Sequence, residues 1–294
     1  MDLDHLRTFV EVAKEGNFSR AAAKVFRSQP AVSAQIRLLE DEYQQKLFDR
    51  SGKTVRLTPA GEILLQYAQS LLQLHHESRN ALSHTSTEPR GVLSIGANEA
   101  TFLYVLPKCF ERFHRQYPGV RINVYRNFTR KVIEKIELGA IDLGVVTLPV
   151  KNAALRVSPI FKDELQLVVD AKHPLAANKV VTIAEIAEMP LIFPKTGSTR
   201  RLLEKMFNPY RERLRISMEL TSVVMIKQFV AAGFGASVIS TSFAADEVAA
   251  GALKLVPIKD LKLKRELGLV LRKDRTLPSA ATAFVDVIHE CMKA

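Results

Sequence analysis

The N-terminal part of the chain carries three successive runs of apolar side chains at helical spacing. Gly16-Asn17 ends the first run, Ser19 is a suitable N-cap for the second, and Ser28 is one for the third. Pro30 falls in the first turn of the third helix, where its missing N–H is tolerated. We therefore predict a three-helix core whose last two helices form a helix-turn-helix. The apolar positions are Leu3, Leu6, Phe9, Val10 and Ala13, then Ala21, Ala22, Ala23 and Val25, and finally Val32, Ile36 and Leu39.

The third predicted helix has a second face that is unlike an ordinary solvated surface. Opposite the apolar stripe it holds short or flat polar groups instead of a mixture of Glu and Lys. Small side chains allow close approach to DNA, a glutamine amide can read adenine, and an alanine can meet a thymine methyl group. We interpret this face as a recognition helix for the major groove. The candidate DNA contacts are Arg27, Ser28, Gln29, Pro30, Ser33, Ala34 and Arg37.

The segment after the third helix has the pattern of a small β-hairpin. Ser51-Gly52 is a turn signal, and apolar residues flank it on both sides. We predict a β-wing that directs Arg50, Lys53 and Arg56 at phosphate groups. A plain helical hairpin followed by a charged loop is the alternative that this pattern leaves open.

A long helix is predicted next, because Thr58-Pro59 combines an N-cap with a proline at the first helical position. It runs to about residue 85, and at about 1.5 Å per residue it would be a rod of roughly 40 Å. Its apolar positions alternate at spacings of three and four, which predicts a seam for a partner helix. Packing against the chain's own C-terminal part is the alternative. The seam positions are Leu64, Tyr67, Leu71, Leu74, Ser78 and Ala81, widened by Leu65, Ala68, Leu72 and Leu82.

From Gly91 onward, short apolar runs alternate with amphipathic stretches. Strands alternating with helices predict a parallel sheet covered by helices, here in two similar halves with two crossovers between them. The last strand returns to the first half. The predicted strands cover 92–95, 120–125, 140–146, 165–169, 191–193, 216–220, 236–239 and 267–271, and the predicted helices 104–116, 129–138, 199–207 and 224–232.

Several polar residues stand between the end of a predicted strand and the start of the next helix. Ligands of such folds bind at the carboxyl ends of the strands, in the cleft between two lobes. Free N–H groups and hydroxyls at helix N-termini suit a carboxylate or phosphate. Helix capping is the alternative role for any one of these residues. The candidates are Asn98, Thr101, Thr147, Thr196, Ser198 and Thr199.

Two sets of motifs resemble one known family. The pattern LRTFVEVAKEGNFSRAAAKVFRSQPAVSAQIRLLEDEYQQKLFDR, followed by VRLTPAG, closely resembles the N-terminal domain of LysR-type transcriptional regulators. The stretches YPGVRINV, GAIDLGVV, PLIFPKTGSTRRLLE and FVAAGFGASVI resemble the effector-binding domain of the same family, which is akin to periplasmic solute-binding proteins. This resemblance adds Ser222 to the candidate effector contacts.

The resemblance implies an α/β protein with three parts. A winged helix-turn-helix covers residues 1–58, a dimerisation helix covers 59–89, and a two-lobed effector-binding domain covers 90–294. Lobe one is expected at about 90–161 and 268–294, and lobe two at about 162–267. The implied partners are double-stranded operator DNA, a small effector, a second or further copies of the chain in a homodimer or homotetramer, and RNA polymerase where the regulator activates.

Composition and charge narrow the function further. The formal net charge is +11, of which residues 1–90 carry only +1, so the C-terminal part holds a basic surplus. A basic solvated surface is one explanation of this surplus, and an anionic effector is the other. Cys109 and Cys291 are too few for a disulfide framework or a zinc site. The start of the chain lacks an apolar signal core, and the apolar run over 229–239 is too short to span a bilayer. We expect a cytoplasmic protein with no cofactor, no metal and no membrane partner.

Two other function classes remain as alternatives. One is a cytosolic small-molecule binding or carrier protein without operator-specific DNA binding. The other is a metabolic α/β enzyme, but the sequence has no nucleophile elbow, no phosphate-binding lysine loop and no paired-histidine metal motif. Retention on generic duplex DNA at low salt, lost as salt rises, separates a regulator from both alternatives.

Overall fold

The computed structural model describes residues 2–49, 55–82, 88–259 and 264–293 of the chain. Its N-terminal part contains three short helices, the base of a hairpin and a long helix, in the predicted order. Strands β1 and β2 pair antiparallel as the base of the predicted wing. The elements are α1 (Leu3–Glu15), α2 (Phe18–Lys24), α3 (Gln29–Tyr43), β1 (Phe48–Asp49), β2 (Arg56–Leu57) and α4 (Pro59–Leu82).

The three short helices enclose one apolar core. The predicted inward residues Val32, Ile36 and Leu39 of α3 are fully buried. Phe9 of α1 packs against Phe48 of β1 with ring centroids 5.3 Å apart, which connects the helices to the wing. A side-chain hydrogen bond from Thr8 Oγ1 to Gln35 Oε1 (2.7 Å), also buried, fixes α3 on α1.

Asn17, and not Ser19, caps α2. Its Oδ1 accepts hydrogen bonds from the backbone N–H groups of Ser19 (2.9 Å) and Arg20 (3.0 Å). The predicted cap was wrong because Gly16 ends α1 in a left-handed conformation, so Asn17 is already the first residue positioned to start a new helix. The predicted cap of α3 is confirmed, since Ser28 Oγ accepts from the backbone N–H of Ala31.

Glu40 holds the wing against α3. This acid is 4% exposed, and its Oε1 accepts from the backbone N–H groups of Leu47 (2.9 Å) and Phe48 (3.4 Å). A buried carboxylate is stable here because it satisfies backbone donors at the start of β1.

The long helix α4 uses part of its predicted seam inside its own domain. Leu64 and Ala68 are buried in the three-helix core, and Leu71 packs against its edge. Tyr67 and Leu74 remain exposed, at 66% and 63%. Predicting one seam through all these positions was therefore wrong, because α4 presents two apolar faces and one of them packs on the three-helix core.

The C-terminal part folds into two α/β lobes that share two long strands. In the first lobe, β3 pairs parallel with β4 and β5, and β11 pairs antiparallel with β5 as the predicted return strand. In the second lobe, β7 and β8 are parallel, and β9 and β10 are antiparallel to β6. The elements are β3 (Gly91–Ala97), α5 (Glu99–Tyr104), α6 (Pro107–Gln116), β4 (Val120–Arg126), α7 (Thr129–Glu137), β5 (Leu143–Thr147), β6 (Leu155–Asp170), α8 (Ile183–Ala187), β7 (Pro190–Pro194), α9 (Ser198–Phe207), β8 (Arg215–Leu220), α10 (Val223–Ala231), β9 (Ser237–Ser240), α11 (Ala245–Ala249), β10 (Leu253–Val256), β11 (Lys264–Arg272) and α12 (Ser279–Lys293).

The crossover between the lobes is more extensive than predicted. Strand β6 is 16 residues long, and it begins ten residues before the predicted strand start. Its residues 155–164 pair with β11 of the first lobe, and 165–170 pair with β9 and β10 of the second. The two lobes therefore share a continuous sheet, and any change in their relative orientation must pass through β6 and β11.

The helix predicted over 104–116 begins three residues later, at Pro107, and a separate short helix that was not predicted precedes it. Helix α5 ends at Tyr104, and α6 starts at Pro107 with Leu106 as its N-cap. Pro107 has no backbone N–H with which to continue the hydrogen bonds of α5, but it is tolerated at the first position of a new helix, so α5 ends and α6 begins there. The break sets α5 as a short helix directly after β3, at the edge of the cleft described below.

Candidate functional site

The face of α3 opposite its buried stripe is open to solvent. Pro30, Ala34 and Arg37 are exposed along one side of the helix, and Gln29 is exposed at its N-terminus. None of these side chains is long and acidic, so the surface can approach a polyanion closely. These four positions of the predicted recognition face are exposed to solvent.

Ser33 lies differently from its prediction. It is 9% exposed, so it does not stand beside Gln29 as a second free polar group. Its Oγ accepts a hydrogen bond from Gln29 Nε2 (2.9 Å). This hydrogen bond holds the Gln29 amide along the helix, and it uses only one of the two amide hydrogens.

The basic residues around α3 differ in their ion pairing and in their exposure. Arg27 forms an ion pair with Asp4 of α1, which holds it near the turn. Arg56 is exposed on β2, whereas Arg50 and Lys53 lie outside the described residues. Sequence reasoning missed Phe26, which stands 96% exposed in the turn before α3 with a left-handed backbone (φ 54°). The only signal for Phe26 in the sequence was an aromatic residue two positions before the cap of α3.

The two lobes enclose a cleft of about 1310 Å³. The carboxyl ends of β3, β5, β7 and β8 all lead to it, as the topology of open α/β sheets requires. Six of the seven predicted effector contacts line it; the exception is Thr101. The lining candidates are Asn98, Thr147, Thr196, Ser198, Thr199 and Ser222.

The start of α9 leaves its hydroxyls available to a ligand. Gly197 is the N-cap, with a left-handed φ of 100°, and no side chain caps this helix. The capping role considered for Ser198 and Thr199 is therefore not seen. Two hydroxyls and the first N–H groups of a ten-residue helix face the cleft together, and this arrangement suits an anion.

Asn98 and Thr101 have separate roles in the loop after β3. Asn98 lines the cleft and caps α5, with its Oδ1 accepting from the Thr101 N–H (2.9 Å). Thr101 is fully buried and does not line the cleft. The predicted effector contact at Thr101 is wrong, because α5 turns this side chain inward. Its Oγ1 makes no hydrogen bond within the described part of the chain.

Ser222 joins the two lobes across the cleft. Its Oγ donates to Glu99 Oε1 of the first lobe (2.6 Å), and Glu99 also pairs with Arg126. The predicted candidate Ser222 is thus engaged by a protein carboxylate in this structure. An anion that replaced Glu99 as the acceptor of this hydroxyl would break one hydrogen bond between the lobes.

Charged side chains give the cleft a positive balance. Six basic and four acidic residues line it. Glu134 stays ionised and pairs with cations of the same helix, because hydrogen bonds from Lys131 and Arg130 lower the pKa of its carboxyl. Arg265 was not predicted; burial lowers the pKa of its guanidinium to about 10, while Asp163 opposes this shift. At neutral pH Arg265 is therefore still a cation.

Neither enzyme-like metal chemistry nor a membrane segment is found in the described residues. In residues 2–49, 55–82, 88–259 and 264–293, no three His, Cys, Asp or Glu side chains are grouped to hold a metal ion. Over the same ranges no helix has the length and apolar character needed to cross a bilayer.

Comparison with known families and proteins covers nearly the whole chain. Residues 3–62 match the family described as "Bacterial regulatory helix-turn-helix protein, lysR family". Residues 86–293 match the "LysR substrate binding domain". A relative from Synechocystis sp., named "Probable RuBisCO transcriptional regulator", is 33% identical over 290 residues, which are 96% of this chain and 84% of the relative.

Solved structures agree with the sequence relatives. A full-length OxyR variant from Pseudomonas aeruginosa is 26% identical, with a TM-score of 0.73, over 100% of this chain and 95% of the other. CbnR complexed with its target DNA has a TM-score of 0.74 at 20% identity, over 99% and 100% of the two chains, and this likeness concerns the fold. With a helix-turn-helix at one end, a two-lobed binding domain at the other and family matches over both, this chain belongs to the LysR family of transcriptional regulators.

Proposed function

We propose that the chain reads operator DNA through α3 and responds to a small anionic metabolite bound between its lobes. The proposed division is residues 1–58 for DNA binding, 59–89 for dimerisation and 90–294 for effector binding. One observation supports an anionic effector above all. Hydroxyl groups that do not cap α9 lie at its start, and they line a cleft with more basic than acidic side chains. We further propose that the protein acts in the cytoplasm, and that it contacts RNA polymerase at promoters it activates.

Base recognition is assigned to Gln29, with Ser33 as its support. Replacing Gln29 with Ala removes the amide that can pair with adenine, so binding to the operator should weaken by about 1–3 kcal/mol. Binding to random duplex DNA should change little. The measurement is fluorescence anisotropy on the tightest duplex selected from a random pool and on a scrambled duplex. Ser33→Ala should give a smaller loss with the same selectivity, because the amide stays but loses its hydrogen bond.

Arg56→Ala is the matched control for this test. Arg56 is an exposed cation on β2, so its loss should weaken binding to both duplexes. The salt dependence of binding should fall by the amount expected for about one phosphate contact. If Gln29→Ala weakened binding to both duplexes equally, the assignment of the recognition face would be wrong.

Effector binding is assigned to the start of α9. Ser198→Ala should weaken the binding of the cognate carboxylate or phosphate by about tenfold, because one hydrogen bond to a charged group is lost. Ligand-free DNA binding should be unchanged, since α9 is far along the chain from the DNA-binding helices. Calorimetry with a panel of small carboxylates and phosphates measures the affinity, and footprinting measures the response.

Thr101→Val is the matched control, since it removes a hydroxyl that follows β3 in the first lobe but does not line the cleft. Thr101 is buried outside the cleft lining, so this variant should keep its ligand affinity and its fold. A cationic or wholly apolar effector would contradict the anionic proposal. So would a cognate ligand that binds the Ser198→Ala variant and the unaltered chain equally well.

A further inference from the structure

Arg265 is a buried cation whose side chain is only partly satisfied. It lies on β11 at the wall of the cleft, and it is 8% exposed. Its Nε and Nη2 are shielded from solvent and have no hydrogen-bond partner within the described residues. Its remaining contacts are weak for a buried charge: Nη1 is 3.5 Å from Ser240 Oγ, and the guanidinium lies 4.5 Å from the centre of the Phe243 ring.

The nearest acid does not neutralise Arg265 directly. Asp163 stands directly opposite in the β6–β11 register. Its Oδ1 accepts from Thr241 Oγ1 (2.7 Å), and its Oδ2 accepts from the hydroxyl of Ser242. The carboxylate is therefore directed at two hydroxyls of the second lobe, and two N–H donors of Arg265 remain for another acceptor.

Native proteins rarely leave a buried guanidinium without acceptors, because the lost hydration is then uncompensated. Unpaired donors of this kind are informative when they line a cavity that is large enough for a ligand. A guanidinium presents Nε–H and Nη2–H as a planar fork, which matches two oxygens of a carboxylate or of a phosphate group.

We propose that Arg265 anchors the effector by binding one carboxylate or phosphate group through Nε and Nη2. This inference rests on the proposed function of the cleft and names the chemistry of its ligand: an oxyanion with two coplanar acceptor oxygens. The rest of the ligand extends toward the start of α9, where Ser198 and Thr199 present their hydroxyls. The anion is thus held from β11 on one side and from α9 of the second lobe on the other.

The position of the anchor also explains how binding can change the lobes. Arg265 belongs to β11, and β11 and β6 are the strands through which the lobes are connected. Its near contacts Ser240 and Phe243 belong to the end of β9 and the turn after it. An anion at Arg265 therefore adds its contacts at the crossover, where they depend on the orientation of one lobe relative to the other.

The test uses thermal unfolding of the full chain with sodium succinate and, separately, with sodium phosphate, at constant ionic strength set by sodium chloride. The unaltered chain should be stabilised by at least one of the two anions, and the stronger of the two identifies the effector's acidic group. Arg265→Gln should lower the affinity for that anion about tenfold to a hundredfold, as expected when hydrogen bonds from a charged group are lost. Arg156→Gln is the control, because it removes an exposed charge from the same strand pair.

A purely structural arginine would behave differently in the absence of anions. The proposal expects the Arg265→Gln chain to unfold without ligand at the same or a higher temperature, since an unpaired buried charge is removed. Arg265→Lys keeps the charge but loses the fork, so it should fold and still bind the anion weakly. If both variants unfold at much lower temperature without ligand, Arg265 is structural and the anchor is refuted.

The anchor and the proposed function fail in distinguishable ways. Anion stabilisation that survives in Arg265→Gln but is lost in Ser198→Ala would refute the anchor and leave the anionic cleft in place. If neither anion stabilises the unaltered chain beyond the effect of chloride, the anionic effector is refuted and the anchor with it.

Discussion

Replacing Leu74 with Asp should convert the protein from a dimer to a monomer at micromolar concentration. Ile63, Tyr67 and Leu74 are exposed on one side of α4, at 61%, 66% and 63%. Their spacings place them in a single row along the helix, separate from the face that packs on the DNA-binding core. We propose that this row is the dimer seam and that a homotetramer builds on the same dimer.

The expected effect is large because the substitution is repeated by symmetry. In the dimer, each of the two helices would place a carboxylate against the apolar side chains of its partner. The free-energy cost to dimerisation would be about 3 kcal/mol or more in total. That weakens dimerisation by at least about a hundredfold. Operator affinity should fall in parallel, because two half-sites are then bound by independent monomers. Analytical ultracentrifugation and anisotropy on the same operator duplex measure the two effects.

Leu74 is a sharper choice than Leu71, which lies in the predicted seam but packs at the edge of its own core. An acid at Leu71 would disturb folding and assembly together. Gln66→Asp is the control, because Gln66 is exposed on α4 outside the row. An unaltered chain that sediments as a monomer, or a Leu74→Asp chain that remains dimeric, would refute the seam.

The sequence predicted best those features that depend on local signals. Ser28 followed by Pro30 specifies a helix start by backbone chemistry alone, and the structure starts α3 there. The cleft loops were predicted from topology, since strands that run parallel bring their carboxyl ends to one edge. Thr196 and Ser198 therefore lie at the cleft, although residues far apart in the chain had to converge to form it.

Strand β6 shows what local signals do not contain. Its first half includes Pro159, Lys162 and Asp163, and neither proline nor alternating charge is typical of a strand. Pairing with β11 overrides that composition, and the register shifts between Leu267 and Gly268 where Pro159 enters the ladder. Such long-range pairing cannot be inferred from the residues of one strand.

Buried charge was the second feature that the sequence analysis missed. Nothing in the local sequence marks Glu40, Lys227 and Arg265 as buried charges, yet all three are at most 8% exposed. Each is buried because a distant element covers it, so its role depends on tertiary contacts. The exposure predicted for Ser33 was wrong for a related reason. Helical periodicity places Ser33 at the border between the buried and exposed faces of α3, where tertiary contacts decide its burial.

Two of these buried charges act where the lobes meet. Arg265 lines the cleft from the crossover strands, and Lys227 is a buried residue of α10 in the second lobe. Lys227 Nζ is 4.3 Å from the centre of the Tyr104 ring, which belongs to α5 of the first lobe, and it donates to the Phe243 carbonyl oxygen (2.6 Å). Phe243 in turn contacts both Tyr104 and Arg265. A ligand at Arg265 is therefore two contacts away from the interlobe packing around Lys227.

Removing the acid that pairs with Lys227 should strongly destabilise the effector-binding domain. Lys227 is 3% exposed, and its Nζ lies 2.5 Å from Glu247 Oε1. Glu247→Ala leaves a buried ammonium without its carboxylate, which costs about 3–5 kcal/mol in comparable cases. Replacing both residues, Lys227→Met with Glu247→Leu, should restore most of the stability, because no buried charge then remains. Urea unfolding followed by circular dichroism measures all the variants.

The surface pair Arg115–Glu111 provides the matched control on α6. Both of its side chains are exposed, at 77% and 60%, so Glu111→Ala should change stability by less than about 1 kcal/mol. The double-mutant cycle at Lys227 and Glu247 should show a coupling free energy several times larger than the cycle at the surface pair. Equal coupling at the two pairs would mean that Glu247 does not compensate the buried charge. In that case the Phe243 carbonyl and the Tyr104 ring must stabilise Lys227, and the interlobe packing would hold without the acid.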